Sequence, residues 1–357
     1  MKFSVIPARE LTPELTARWS AIQQAEPTLA NPYFRPEFTQ AVAAVRDDVY
    51  IGILEDHNEI KGFFPFHRKW GGVAKPVGLG LSDYHGVIAQ AESRWGVAEL
   101  LRGCKLVRWE FDHLLTTQSQ WLPYQISTLP SPIINTAQSY QQYEETRLKL
   151  DGKQLKETYR KISRLEREKG AHTFVLNSKD PEVFQAMIDW KRKQCQRTGA
   201  VDYFGLDWTV ELVKIIHQAD SEYFGGVLSA VYVGDKLAAV HFGMRSNNVL
   251  HSWFPGYDEA FQPYSPGLIL LVELIRSCCT NHIQYIDLGR DMVTYKKKFM
   301  TDAIPVAQGC VEMPSLLNRA RRWRHSFEQW GRQSALRPIL LLPGRVIQRI
   351  ERKGRYS

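Results

Sequence analysis

Two stretches, "VYIGILEDHNEIKGFFPF" (49–66) and "GGVLSAVYVGDKLAAVHFGMR" (225–245), limit what this chain can become more than any other feature. Each reads as strand, polar turn, strand, with Gly234-Asp235 at the second turn. Each then runs on through a further strand into a helix. Around them the pattern predicts helices near 13–25, 36–45, 92–103, 139–169, 181–198 and 207–219. Strands are expected near 73–78, 105–111, 123–128, 172–177, 249–254 and 283–288. Hairpins mixed with helices predict an α/β chain of two units, and 357 residues with 44% hydrophobic content can bury two cores. The boundary is expected near 130–150, because the Pro and Ser residues of "STLPSPIINTAQS" should break any regular element. That gives units over 1–145 and 146–313 and a tail over 314–357.

Charge separates the tail from the rest. The chain carries 46 Lys+Arg against 38 Asp+Glu, but eleven of the basic residues and only Glu328 and Glu351 lie from Pro314 onward. The body is therefore near neutral, which argues against a general nucleic-acid surface on it. In "LLNRARRWRHSFEQWGRQ" (316–333), Leu316, Ala320, Trp323, Phe327 and Trp330 recur at helical spacing among arginines. That pattern suits an interfacial helix, so residues 316–355 are expected to meet an anionic membrane surface. No run of about 18 apolar residues occurs and no secretory signal is evident, so a cytoplasmic location is expected, with peripheral attachment. Five cysteines without CxxC spacing argue against a disulfide framework or a zinc site. The charged stretch "KQLKETYRKISRLEREKG" (153–170) places Leu155, Tyr159, Ile162 and Leu165 on one face and reads as an amphipathic helix with a solvated side.

Within "QPYSPGLILLVELIRSCC" (262–279), Ser265 can cap a helix through its hydroxyl and Pro266 suits the first helical position. Such a terminus is either a cap on a core helix or an anion site, where Gly267 would let a ligand approach uncommitted N–H groups. P-loop, GxGxxG, HExxH and GxSxG signatures are absent from the sequence.

The ordered set "HSWFPGYD" (251–258), "YSPGLILL" (264–271), "IDLG" (286–289) and "YKKKF" (295–299) resembles the second half of the Gcn5-related N-acetyltransferase (GNAT) superfamily. The branch is that of FemAB-like and cellulose-biosynthesis-type acetyltransferases. "DYHGVI" (83–88) and "FRPEFTQAV" (34–42) are similar to the same branch, so the resemblance spans most of residues 1–312. It implies two tandem acetyltransferase-like domains with mixed, mainly antiparallel sheets. It also implies an acyl-CoA such as acetyl-CoA as co-substrate, no metal, and a saccharide or polysaccharide-precursor acceptor in cell-envelope or exopolysaccharide assembly. FemAB-like relatives take aminoacyl-tRNA instead, so tRNA is the alternative donor. A non-catalytic, membrane-associated scaffold is a third reading, because "QPYSPG" keeps Gln262 and Gly267 of the usual phosphate loop but lacks its second Gly.

On the resemblance, Gln262, Ser265, Pro266, Gly267 and Lys296 would bind donor. His241 and His251 are candidate bases, with Asp287 and Asp291 behind them, and Tyr295 is the candidate acid. Plain alternatives stand beside these: Asp287 as organiser of the turn after its strand, Tyr295 as packing. The two histidines share a face only if a three-residue loop joins their strands; a two-residue Asn247-Asn248 turn would put them on opposite faces.

Overall fold

A computed structural model describes residues 1–314, and the basic amphipathic tail with its expected membrane contact lies outside them. In chain order the elements are β1 (Lys2–Pro7), α1 (Pro13–Ala25), α2 (Pro36–Val45), β2 (Val49–Asp56), β3 (Glu59–Lys69), β4 (Val73–Lys75) and β5 (Ile88–Ala89). Then come α3 (Val97–Gly103), β6 (Arg108–Leu115), β7 (Gln125–Asn135), α4 (Tyr140–Asp151), α5 (Lys153–Lys169), β8 (His172–Val175), α6 (Pro181–Thr198) and α7 (Asp207–Gln218). The chain continues through β9 (Phe224–Val233), β10 (Lys236–Ser246), β11 (Val249–Tyr257), α8 (Pro266–Thr280), β12 (Tyr285–Asp287), α9 (Thr294–Phe299) and β13 (Asp302–Glu312).

Two compact α/β units result, interleaved in sequence. The first holds Met1–Ala25, Asp47–Thr128 and residues 307–314; the second holds Glu26–Arg46 and Leu129–Val306. In the first unit β2 and β3 form the hairpin, β4 follows antiparallel to β3, and after α3 the chain returns as β6, parallel to β4. The second unit repeats that order: β9 and β10 form the hairpin, β11 follows antiparallel, and after α8 comes β12, parallel to β11. One connection rule explains both. A hairpin needs only a tight turn, whereas a parallel neighbour needs a crossover long enough to hold a helix.

The first turn is built by His57 and Asn58, both at positive φ, which suits the twist of a two-residue hairpin. Aromatic residues fill the first core, where Phe64 lies edge-on to Trp109 at 5.1 Å and Trp109 packs on Trp121 at 4.5 Å. The second core is aliphatic, with Val272, Leu274 and Ile275 of α8 against Leu250 of β11 and Ile286 of β12.

Three expectations need correction. The stretch around "STLPSPIIN" is a strand, not a break: β7 pairs antiparallel with β12 through Ile133–Asn135. Proline lacks a donor, but its carbonyl still accepts, and Pro132 takes the Leu288 amide at 3.0 Å. The helix expected over 139–169 is two helices separated at Gly152. Ser265 does not cap α8 with its hydroxyl; it stands in the left-handed region at φ 54° with no side-chain cap bond.

Candidate active site

The parallel pair β11–β12 is only three rungs long, and its last rung joins His251 to Asp287. Past that rung β12 ends while β11 runs on to Tyr257, so the two strands part. His251 and Asp287 sit fully buried at the fork, 3.7 Å apart from Nδ1 to Oδ2. A buried carboxylate must be hydrogen-bonded. Asp287 accepts from Asn31 Nδ2 at 2.7 Å, from Ser131 Oγ at 3.3 Å and from the Gly289 amide at 2.8 Å. The tyrosine two residues after Asn31 completes the group: the Tyr33 hydroxyl lies 3.1 Å from His251 Nε2, and the two rings meet edge-on at 4.9 Å.

Neither Asn31 nor Tyr33 was singled out by the sequence, although they directly precede the "FRPEFTQAV" stretch. Local structure explains their placement. Asn31 accepts the Tyr33 amide at 3.3 Å, Pro32 fixes the first position of a single 3-10 turn, and Pro36 then starts α2. This rigid entry aims Tyr33 at β11. Ser131 arrives on the strand that proline content had disguised.

His241 does not join this group. Ser246 stands opposite Val249 across a two-residue turn, so Met244 faces His251 and His241 lies on the other face of the sheet. There its Nε2 meets Ser252 Oγ at 2.8 Å, and its Nδ1 is buried with no hydrogen-bond partner among the described residues. Burial, with a smaller contribution from His251, pushes its pKa down to about 3. Gly243 is needed beside the His241 ring, since a Cβ there would stand 2.5 Å from the His251 backbone carbonyl and 2.9 Å from His241 Cε1.

The loop from Asp287 to α9 is closed by Lys296, whose buried ammonium donates to the Gly289 carbonyl at 3.2 Å and to the Arg290 carbonyl. Asp291 holds φ 74° in that loop, a conformation glycine usually supplies. Tyr295, half-buried, packs against the α8 core cluster, and burial raises its pKa, so its phenol stays protonated at neutral pH.

At the start of α8, the carbonyl of Ser265 takes the Leu268 and Ile269 amides, while the Gly267 N–H is taken by no bond among the described residues. Pro266 has no N–H to offer. A Cβ on Gly267 would find only Tyr257 Cδ1, at 4.0 Å, so this backbone faces open space. Gln262 is exposed, and its carbonyl accepts the Ser265 amide. Helix α5 grips the turn: Lys161 Nζ donates to Ser265 Oγ at 2.7 Å, Arg164 lies over the Tyr264 ring at 5.4 Å, and Tyr264 donates to Glu168 at 2.7 Å. A cation thus stands beside an exposed helix N-terminus. Beyond Tyr257 a cavity of about 130 Å³ opens, lined by Trp190, Lys193, Arg197 and Glu259 among others.

Residues 152–297 match the family model described as an acetyltransferase (GNAT) domain. No curated protein matches the chain in sequence. Among solved structures, the fold is similar to that of FemX, with a TM-score of 0.55 at 9% identity over 86% of this chain and 97% of that one. It is also similar to the C-terminal domain of a putative lysylphosphatidylglycerol synthetase from Agrobacterium fabrum, with a TM-score of 0.51 at 11% identity over 84% and 92% of the two chains. The repeated hairpin–strand–helix–strand order, the forked β11–β12 pair and the matched segment lead to one conclusion: residues 152–297 form an acetyltransferase (GNAT) domain, in a chain whose fold is similar to that of FemX.

Proposed function

We propose that the chain moves an acyl group from an acyl-CoA to an amine or hydroxyl of a saccharide or polysaccharide precursor. The observation that carries the donor side is the α8 start, where the Gly267 N–H faces open space with Lys161 alongside. A donor phosphate would meet the Gly267 N–H, the helix dipole and an ammonium together. The fork at His251 and Asp287 offers an extended acyl arm strand edges that are no longer paired to each other. The acceptor's proton must leave as its nitrogen or oxygen bonds to the carbonyl carbon, and the departing sulfur must gain one. His251 serves as the base, with the Tyr33 hydroxyl at its Nε2 to relay the proton, and Tyr295 supplies the acid.

Calorimetry with acetyl-CoA and longer acyl-CoAs tests this. Gly267→Glu is expected to abolish donor binding by placing a carboxylate where phosphates must sit, and Gly267→Ala to weaken it only slightly. Tyr295→Phe should bind donor normally while turnover falls roughly 10²-fold. If Gly267→Glu binds donor as well as the unaltered chain, the helix start is only a cap and the reading fails.

The basic face of α5 beside this terminus supports a second reading, in which aminoacyl-tRNA is the donor. Activity abolished by ribonuclease would select it. Cytoplasmic placement with peripheral attachment through residues 316–355 belongs to the same proposal.

A further inference from the structure

The motif "DYHGVI" lies in the first unit. Its histidine has a defined environment. The His85 backbone is stitched to β6 by its amide to the His113 carbonyl at 2.8 Å and its carbonyl to the Leu115 amide at 3.1 Å. This sets two buried imidazoles edge to face, their centroids 5.8 Å apart, with the half-exposed Asp112 carboxylate beside both.

We propose that His85, Asp112 and His113 form a binding site for a zinc-like divalent transition-metal ion. Asp112 Oδ1 lies 3.6 Å from His85 Nδ1 and 3.0 Å from His113 Nδ1. A tetrahedral zinc with bonds of about 2.0–2.1 Å needs ligand atoms about 3.3 Å apart, and the two distances bracket that value. All three ligand atoms fall within 4.8 Å of one another. His85 Nε2 faces the Ser82 carbonyl at 3.2 Å, so its proton sits there and the Nδ1 lone pair is directed to the cluster. An outward N–H held by a backbone carbonyl is the usual support of a metal-bound histidine. Two imidazoles with one carboxylate favour zinc or its borderline neighbours over magnesium or calcium, which want all-oxygen shells. The exposed side of Asp112 leaves an entry path and room for water as fourth ligand.

Binding changes two existing contacts. His113 Nδ1, which faces Asp112 as a donor, loses its proton to solvent as the metal takes its place. The ring hydrogen then resides on Nε2, a nitrogen that is buried and has no hydrogen-bond partner among the described residues in either tautomer. The His113 amide, 3.2 Å from His85 Nδ1, yields that lone pair to the ion. Sequence spacing gave no hint of a metal because His85 comes from a loop and the other two ligands from a distant strand.

Calorimetry of the full chain with zinc chloride in excess magnesium tests the site. One zinc per chain at micromolar affinity or tighter is expected, with proton release, and Asp112→Asn should weaken binding at least tenfold. As a second readout, zinc should raise the melting temperature of the unaltered chain but not of Asp112→Asn. Cobalt in place of zinc should show no thiolate charge-transfer band, since no cysteine belongs to the site. The proposal is overturned if the chain takes up no zinc, if Asp112→Asn and His113→Gln bind zinc as the unaltered chain does, or if a thiolate band appears.

Discussion

His241 is the side chain whose ionisation the fold controls most clearly. Its folded pKa of about 3 lies below the value near 6.5 of an unfolded histidine, so between those values the unfolded chain binds a proton that the folded chain refuses. Stability contributed this way is complete above about pH 6.5 and falls as pH drops toward 3. Urea unfolding midpoints should therefore decline from pH 7 to pH 4, and His241→Gln should flatten that decline; equal slopes in both proteins would contradict the burial argument. The same buried imidazole is poorly placed as a base, because its conjugate acid costs so much to form in the fold. His251 differs by position alone. One face of the sheet gives it Tyr33, and the last parallel rung gives it Asp287.

Lys296 makes the loop between β12 and α9 into a supported element. Its ammonium serves carbonyls of Gly289 and Arg290 within the protein, so Lys296→Met should cost about 2 kcal/mol in urea unfolding, the scale of a charge-assisted bond lost from buried acceptors. An unchanged unfolding free energy would free the lysine for donor phosphate alone. Elements with strong periodicity were legible in the sequence: α1, α2, α6, α7 and both hairpins follow their patterns closely. Strand β7 was legible only at its start, near 123–128; its second half was not, since Pro130 and Pro132 are breakers except where a strand needs no donor from them. The flanking strands β1 and β13 and the short helix α9 also escaped notice, because six to eleven residues without clear alternation carry little signal. Helix α5 was read with the right buried face, Leu155, Ile162 and Leu165, yet its polar side is more than solvated surface, as Lys161 and Glu168 hold the turn before α8. Periodicity shows which face is buried; it cannot show what a charged face touches.

For the whole molecule, the separation of a near-neutral body from a tail with a surplus of nine positive charges predicts a division of labour. Full-length protein should co-sediment with vesicles rich in anionic lipid, and a chain ending at Met313 should stay in the supernatant at the same ionic strength. Equal pelleting of the two would remove the tail as an anchor. Catalytic constants of the shortened chain on a free acceptor should be unchanged, because every residue assigned to the acyltransferase site precedes the tail. The interleaving of Glu26–Arg46 with Leu129–Val306 has a further consequence, in time rather than space. Asn31 must find an Asp287 made 256 residues later. At about 5–20 residues per second, a ribosome delivers that partner roughly 10–50 s after Asn31 is made. Through that interval the Asn31–Tyr33 turn lacks the carboxylate it later holds, so this part of the site is completed only when the second unit is nearly made.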